Sequence, residues 1–365
     1  MSLACYIHVP FCKSICPYCD FCRILYDPKR VDPWLETIQK EIESALSWIR
    51  KQDGLRTLYL GGGTPNILSE DQLQTLVSPL IPYLHEDYEF TIECNPEALN
   101  EDKIKAMKKL GVNRVSLGVQ SFQDDILRKL GRRHTKEMIE RAIESLKRNG
   151  IENISIDLMY ALPFQDQRDL KKDIEEFLKL DIMHLSIYSL ILEENSAFGK
   201  AHMQPLDEDL EADEYEWIVK TLKEHGFDHY EISSFAKEGA YSKHNLAYWM
   251  DEDFIGIGAG ASGRLLGARY HNTKDLDTYI RLGPCRTEEK TDGSFEAIMM
   301  GLRTSFGVDL KAYEEKYQID LEKKAQPLMK KYEGELMIQE GALKCDERGR
   351  EKLNSILVDF LDLYA

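Results

Sequence analysis

The chain has 365 residues, enough for one large domain with a smaller one appended. A formal net charge of −17 and a sequence pI near 5.1 set it against phosphate backbones, so nucleic acid is not expected as a partner. Eight cysteines are too few for a disulfide scaffold, and Cys12, Cys16, Cys19 and Cys22 crowd together, the pattern of a reducing compartment with one thiolate-rich site.

From the start to about residue 230, short apolar runs alternate with amphipathic stretches. Strands are predicted at Cys5–Val9, Leu55–Leu60, Tyr88–Cys94, Arg114–Val119, Ile154–Met159 and His184–Ser189, each too short for a helix. Between them lie helical patterns. Asp32-Pro33 opens one whose Leu35, Ile38, Ile42, Leu46 and Ile49 share a face. Asn100 caps the next and Gly111 stops it. A third spans Thr135 to Gly150 with Met138, Ile139, Ala142, Ile143 and Leu146 inward, and Asp169–Leu180 and Asp209–Gly226 follow. Six strand–helix units in series predict an α/β fold with a parallel sheet, open or curled into a partial barrel.

Residues 231–290 form a connecting segment holding His244-Asn245-Leu246-Ala247-Tyr248-Trp249 and the run Gly256 to Gly263. That run falls outside a strand–helix unit and lacks an acid placed for a ribose, so it is read as close packing and not as a dinucleotide loop. Residues 291–365 carry two helix patterns, a hairpin around Gly341 and a last helix from about Arg348 to Leu363, an α+β winged-helix-like outline. Acids outnumber bases there, which favours a structural or protein-contact role over DNA binding. No leader precedes Tyr6 and no run of about 18 apolar residues occurs, so a cytoplasmic protein without an integral membrane segment is expected.

In parallel folds, function gathers at the carboxyl ends of the strands. The unusual residues here fall there: the cysteine loop, Gly61-Gly62-Gly63-Thr64-Pro65, Glu93-Cys94-Asn95-Pro96, Gln120, Asp157 and Tyr188. Cys12, Cys16 and Cys19 can turn onto one metal group from a single loop. A four-iron cluster normally takes four thiolates, so three would leave one iron open. Zinc is the competing reading, with Cys22 as its fourth ligand. The glycine run lets backbone approach a ligand but lacks the lysine of a phosphate loop. Glu93 could grip an amine or ribose, or be an ordinary solvated carboxylate. Asp157 lies in an apolar strand and needs a partner, either a ligand or a base such as Arg132. His244 reads as a satisfied structural histidine or, with Tyr248 and Trp249, as part of a wall for a flat apolar ligand with the imidazole as axial iron donor.

The Cys12-x-x-x-Cys16-x-x-Cys19 spacing, with Tyr18 before the last cysteine, resembles the radical S-adenosylmethionine (SAM) superfamily. The run Tyr6 to Phe21, Gly61–Pro65, Gly118-Val119-Gln120-Ser121-Phe122 and Asp157 to Pro163 narrow it to the oxygen-independent coproporphyrinogen III oxidase group. His244–Trp249 resembles the H-N-x-x-Y-W signature of that group's heme-chaperone branch, the HemW-type proteins. The resemblance implies a partial (β/α)6 radical SAM barrel over residues 1–230 and a [4Fe-4S] cluster on Cys12, Cys16 and Cys19. It further implies SAM against Tyr6, Tyr18, Gly62 and Glu93, a second SAM subsite at Gly63, Thr64, Gln120, Arg132 and Asp157, and heme on His244. Heme itself and apo-heme acceptor proteins would be the partners, some of them transient and membrane-associated. The oxidase pattern has a fourth cysteine where this chain has Phe21, which favours the chaperone over the porphyrinogen decarboxylase.

Overall fold

The computed structural model describes residues 3–364. Six strands follow one another in chain order: β1 (Leu3–Val9), β2 (Leu55–Gly62), β3 (Leu84–Cys94), β4 (Arg114–Gln120), β5 (Asn153–Tyr160) and β6 (His184–Ser189). Each pairs in parallel with the next, as the alternating pattern predicts. Beyond β6 the sheet continues antiparallel through β7 (Asp228–Glu231) and β8 (Ser234–Ala236), in the order β6-β8-β7. On the other side of β1, residues read from sequence as a connecting segment add β9 (Phe254–Ile257), β10 (Ser262–Leu265), β11 (Ala268–His271) and β12 (Thr287–Glu289). β9 runs parallel to β1, and the rest are antiparallel.

Side chains alternate across a strand, and this chain uses that period strictly. Cys5 and Ile7, Leu58 and Leu60, Phe90 and Ile92, Val115 and Leu117, Ile154 and Ile156, and Leu185 and Ile187 are buried in one core. The crossover helices supply its other half, among them Ile38 and Ile42, Ile104 and Met107, Ile139 and Ile143, and Ile174 and Phe177. The intervening strand positions are polar or aromatic: Tyr59, Glu93, Arg114, Ser116, Asp157 and Ser186 line a single cavity of about 500 Å³. A sheet apolar on one face and polar on the other can bury both only by curling round the polar one.

The helices start where short polar residues satisfy the free N–H groups. α1 runs Pro28–Lys51, earlier than the expected Asp32-Pro33, because Asp27 accepts from the Lys29 N–H and Pro28 occupies the first turn. Pro33 lies inside it at the sixth position, past the four free N–H groups, so the Lys29 carbonyl loses the intrahelical donor it would otherwise have. Asn100 and Thr135 cap as expected, each accepting from the third residue beyond it. Asp166 and Asp207 cap the helices Gln167–Lys179 and Glu208–Glu224 a little ahead of the predicted starts. Met138 faces outward at 36 % exposure, correcting its inward assignment; Thr135 sets the helix phase so that Ile139, Ala142, Ile143 and Leu146 carry the buried stripe.

Glu41 of α1 locks the late strands onto the barrel. Its buried carboxylate accepts from the Gly258 N–H (3.0 Å), Asn272 Nδ2 (2.8 Å), the Tyr279 hydroxyl (2.6 Å) and Arg286 Nη2 (3.1 Å). The Gly256–Gly263 run is close packing, as expected: a Cβ on Gly256 would stand 1.8 Å from the Ser262 carbonyl oxygen.

The C-terminal region has its own core, from Ala297 to Phe360. It holds three helices ahead of the hairpin where two were expected, Gly293–Gly301, Leu310–Tyr317 and Leu321–Lys331; Asp309 and Asp320 each cap a new start. A three-stranded sheet of β13 (Val308–Asp309), β14 (Leu336–Gln339) and β15 (Ala342–Cys345) turns at Glu340-Gly341, both with positive φ. The last helical stretch is broken into Glu347–Glu351 and Leu353–Tyr364. Arg350 ties this unit to the barrel by donating to the His229 carbonyl (3.1 Å), and the Ser305 N–H reaches the Tyr230 carbonyl (2.9 Å). Among the described residues, no helix is long and apolar enough to cross a membrane.

Replacing Glu41 by Ala leaves the Gly258 N–H, the Tyr279 hydroxyl and Arg286 Nη2 without their acceptor. The variant is expected to lose roughly 3–5 kcal/mol of stability. Urea unfolding checks this, and a midpoint equal to wild type would refute the lock.

Candidate functional site

The cysteine loop leaves β1 through Pro10 and is tied at its base. Phe11 and Cys12 pair with Ile24 and Leu25, while the Ile24 and Tyr26 N–H groups reach the carbonyls of Pro10 (2.7 Å) and Cys12 (2.8 Å). Arg23 braces it from within, donating to the carbonyls of Phe21 (2.9 Å) and Cys19. Cys12, Cys16 and Cys19 all line the cavity, together with Tyr18. Among the described residues no three His, Cys, Asp or Glu side chains converge on the space of one metal ion. Cys22, the fourth ligand of the zinc reading, faces elsewhere: its thiol donates to the Lys274 carbonyl (3.2 Å) and packs against Gly260. Three thiols spread round one cavity fit a multinuclear cluster better than a closed single-ion shell.

Two sulfurs are already offered hydrogen bonds. Thr64 Oγ1 lies 3.6 Å from Cys12 Sγ, and Arg132 Nη1 lies 3.6 Å from Cys16 Sγ. Asn95 joins these donors, accepting from Arg132 Nη2 (2.7 Å) at Oδ1 and donating through Nδ2 to Thr64 Oγ1 (3.3 Å). Burial pushes the Cys12 thiol up to about 11, against the pull of the Thr64 hydroxyl, so its ionisation waits on a bound cation.

At the end of β2 the glycines serve close approach. A Cβ on Gly63 would stand 2.7 Å from the Phe11 carbonyl oxygen and 3.0 Å from Cys12 Sγ, and Gly62 has φ +110 against the His8 ring. The Gly62 N–H and the Tyr59 hydroxyl both donate to Glu93, at 3.0 and 2.8 Å. Burial raises the Glu93 carboxyl even so. Asp157 is more perturbed, pushed from 3.8 to about 7 by burial and then by the Glu93 charge. Of the two partners the sequence offered, a ligand or a base such as Arg132, Arg132 is taken up by Asn95 and the Gly118 carbonyl (2.7 Å each), and the Ser116 hydroxyl donates to Asp157 at 3.0 and 3.1 Å. Arg114 lines the same cavity; its Nε is ion-paired with the buried Glu89 carboxylate at 3.9 Å, and its Nη2 is buried without a hydrogen-bond partner. Such groups suit an anionic part of a ligand, as the two carboxylates suit a cationic part. Gln120, also in the lining, stands at φ +69 where the strand bulges, and the buried Asp173 carboxylate holds the next turn through Ser121 (2.8 Å) and the Phe122 N–H (2.8 Å).

Two expected contacts do not line the cavity. Tyr6 gives its hydroxyl to His8 Nδ1 (3.0 Å). His244 is fully buried, with Nδ1 at 2.7 Å from Thr57 Oγ1, Nε2 at 2.6 Å from the Tyr248 hydroxyl and its ring stacked at 4.8 Å on Tyr59. Burial lowers its pKa to about 3, so it stays neutral. Tyr59 separates it from the cavity. Trp249 also lies off the cavity, under the Arg303 guanidinium. The sequence reading placed Asn95 at a strand end without a role and missed Tyr59, Arg114, Ser116 and Ser186. These four share the inward register of their strands with recognised residues, so the period of two was the available signal.

The Radical SAM superfamily profile matches residues 6–177, and the HemN C-terminal domain profile matches residues 289–351. The chain is 40% identical over 332 residues to the heme chaperone HemW of Lactococcus lactis subsp. lactis (strain IL1403), covering 87% of this chain and 86% of that one. It is 40% identical over 332 residues to the heme chaperone HemW of Bacillus subtilis (strain 168), covering 86% of each. For the Escherichia coli (strain K12) heme chaperone HemW the figures are 35% over 267 residues, with 72% and 70% coverage. Among solved structures, coproporphyrinogen III oxidase (HemN) from Escherichia coli matches with a TM-score of 0.83 at 20% identity, covering 98% of this chain and 90% of that chain. This likeness shows the α/β fold expected from the sequence.

The raised Asp157 carboxyl has a definite consequence for stability. Between about pH 4 and pH 7 the unfolded chain gives up this proton while the folded one keeps it, so folding stability falls as pH rises through that window. Asp157→Asn is expected to flatten the fall and to be the more stable protein above pH 7, by up to roughly 4 kcal/mol. Urea midpoints measured from pH 4 to 8 check this, and parallel wild-type and variant profiles would refute it.

Proposed function

The chain belongs to the HemW family of radical SAM proteins, and from that premise we propose that it is a heme chaperone, binding heme and passing it to apo-proteins in the cytoplasm. The observation that carries the reading is identity of 40% to HemW proteins across most of both chains, against a likeness to the oxidase that concerns the fold. Phe21, where the oxidase pattern has a cysteine, supports the same choice. Acceptors of the respiratory kind, some of them membrane-associated, fit this role.

Radical SAM membership brings a [4Fe-4S] cluster and SAM as cofactors. When bound, the cluster supplies one-electron reduction. In our reading Cys12, Cys16 and Cys19 would hold it, Tyr18 would line its site, and the donors on Thr64 and Arg132 would adjust its electron affinity through the sulfurs. Glu93, steadied by Gly62 and Tyr59, grips the amine of SAM. Gly63, Thr64, Gln120, Arg132 and Asp157 make the second subsite, where a cationic ligand would drive the Asp157 proton off. Tyr6 acts from behind this wall through His8. Heme ligation by His244 requires Nε2 to exchange the Tyr248 hydroxyl for iron and the Tyr59 ring to move aside.

Protein purified and reconstituted without oxygen is expected to bind heme in a titration and to leave coproporphyrinogen III intact; turnover without stable heme binding would sink the chaperone reading. Cys16→Ser should lose the cluster's iron and sulfide while Cys22→Ser keeps them, and full iron content in the first would overturn the ligand set. Tyr248→Phe, which frees Nε2, should tighten heme binding, and His244→Ala should weaken it with cluster absorption unchanged. Wild-type heme affinity in both variants would remove His244 from the heme site.

A further inference from the structure

Tyr59 belongs to two sites at once. It lines the cavity, and its hydroxyl donates to Glu93 Oε1 at 2.8 Å. The same ring lies on the His244 imidazole, with 4.8 Å between centroids and 26° between planes. Its backbone is held in β2 between the core residues Leu58 and Leu60, opposite Tyr6 of β1 and Thr91 of β3. The ring can therefore leave His244 only by a change of χ1, and staggered χ1 positions lie far apart. Such a change carries the hydroxyl out of hydrogen-bond reach of Glu93. Uncovering His244 and keeping the tie to Glu93 exclude one another.

The tie responds to what Glu93 holds. Its Oε2 accepts from the Gly62 N–H (3.0 Å) and its Oε1 from Tyr59, and a carboxylate has further acceptor positions, so an ammonium can join without displacing either donor. A cation there favours the charged carboxylate, toward which the Tyr59 hydroxyl is the stronger donor. An amine on Glu93 thus fastens the ring over His244.

We propose, on the footing of the SAM and His244 assignments above, that Tyr59 is a positioning residue shared by both sites, latched to Glu93 when SAM is bound and released when His244 takes the heme iron. SAM and heme ligation then oppose one another, and each lowers the affinity for the other by the same factor. Arrival of SAM loosens heme from His244, which gives the chain a way to surrender its cargo.

The test is a heme titration of the full chain, reconstituted without oxygen and followed by absorbance, with and without saturating SAM. In wild type, SAM is expected to weaken heme binding by roughly fivefold or more, and heme to weaken SAM binding equally in equilibrium dialysis. Tyr59→Phe keeps the ring and loses the tie, so its heme affinity should match that of SAM-free wild type whether or not SAM is present. Its iron and sulfide content should equal wild type. Heme affinity that SAM leaves unchanged or raises, in a protein whose heme binding is weakened by His244→Ala, overturns the latch alone. Full antagonism in Tyr59→Phe overturns it too, since the ligands would then contend for the same space. Wild-type heme affinity in His244→Ala sinks the ligation reading and the latch with it.

Discussion

Charged side chains inside a barrel are the condition around which this molecule is built. Glu93, Arg114 and Asp157 point away from the apolar core and into a space that the sheet itself encloses, with Glu89 buried behind Arg114. Each would be costly there alone. They are tolerated because the interior is threaded with hydroxyls and backbone donors: Ser116 on Asp157, Tyr59 and Gly62 on Glu93, and the Lys243 and His244 N–H groups on Glu89. The compensation is incomplete. Arg114, although ion-paired through Nε with Glu89 at 3.9 Å, keeps Nη2 without a hydrogen-bond partner, and burial raises the Asp157 carboxyl to about 7, features that suit a site for a charged ligand.

The cysteine loop is placed by the same economy. Its base is a two-residue strand pair, too small to be rigid by itself, and further hydrogen bonds do the rest. Arg132 reaches Cys16, Asn95 and the Gly118 carbonyl, so one guanidinium links the loop to the ends of β3 and β4. Thr64 does the equivalent for Cys12 from the end of β2. Donors aimed at sulfur favour the charged form of a thiol and tie the loop to the barrel's own register. A shift of any one strand would reach the three thiols through these contacts.

The late part of the chain closes what the six repeats leave open. β9 pairs with β1, Glu41 clamps the strands beyond it, and the helix Lys243–Trp249 sets its N-terminus on Glu89 beneath the cavity. His244 thus serves the floor of the barrel, stacked on the Tyr59 ring that lines the site. The C-terminal unit has a separate core and meets the barrel through polar contacts of Arg350, Ser305 and Asp251.

Much was legible in the sequence because local rules are short-ranged. The period of two marks strands, capping residues mark helix starts, and the Cys12-Cys16-Cys19 spacing marks a thiol-rich loop whatever surrounds it. These sufficed for the parallel sheet and for the gathering of Cys12, Cys16 and Cys19 with strand-end residues round one cavity. Partnership was not legible. That Asp157 takes Ser116 while Arg132 takes Asn95, that Cys22 turns to Lys274, and that residues 254–289 join the sheet all depend on approaches between segments distant in sequence. A hydrogen bond is decided within a fraction of an ångström, and no local periodicity carries that information. The chain's order of residues determined which groups would be available to the site; only the curl of the sheet decided which of them meet.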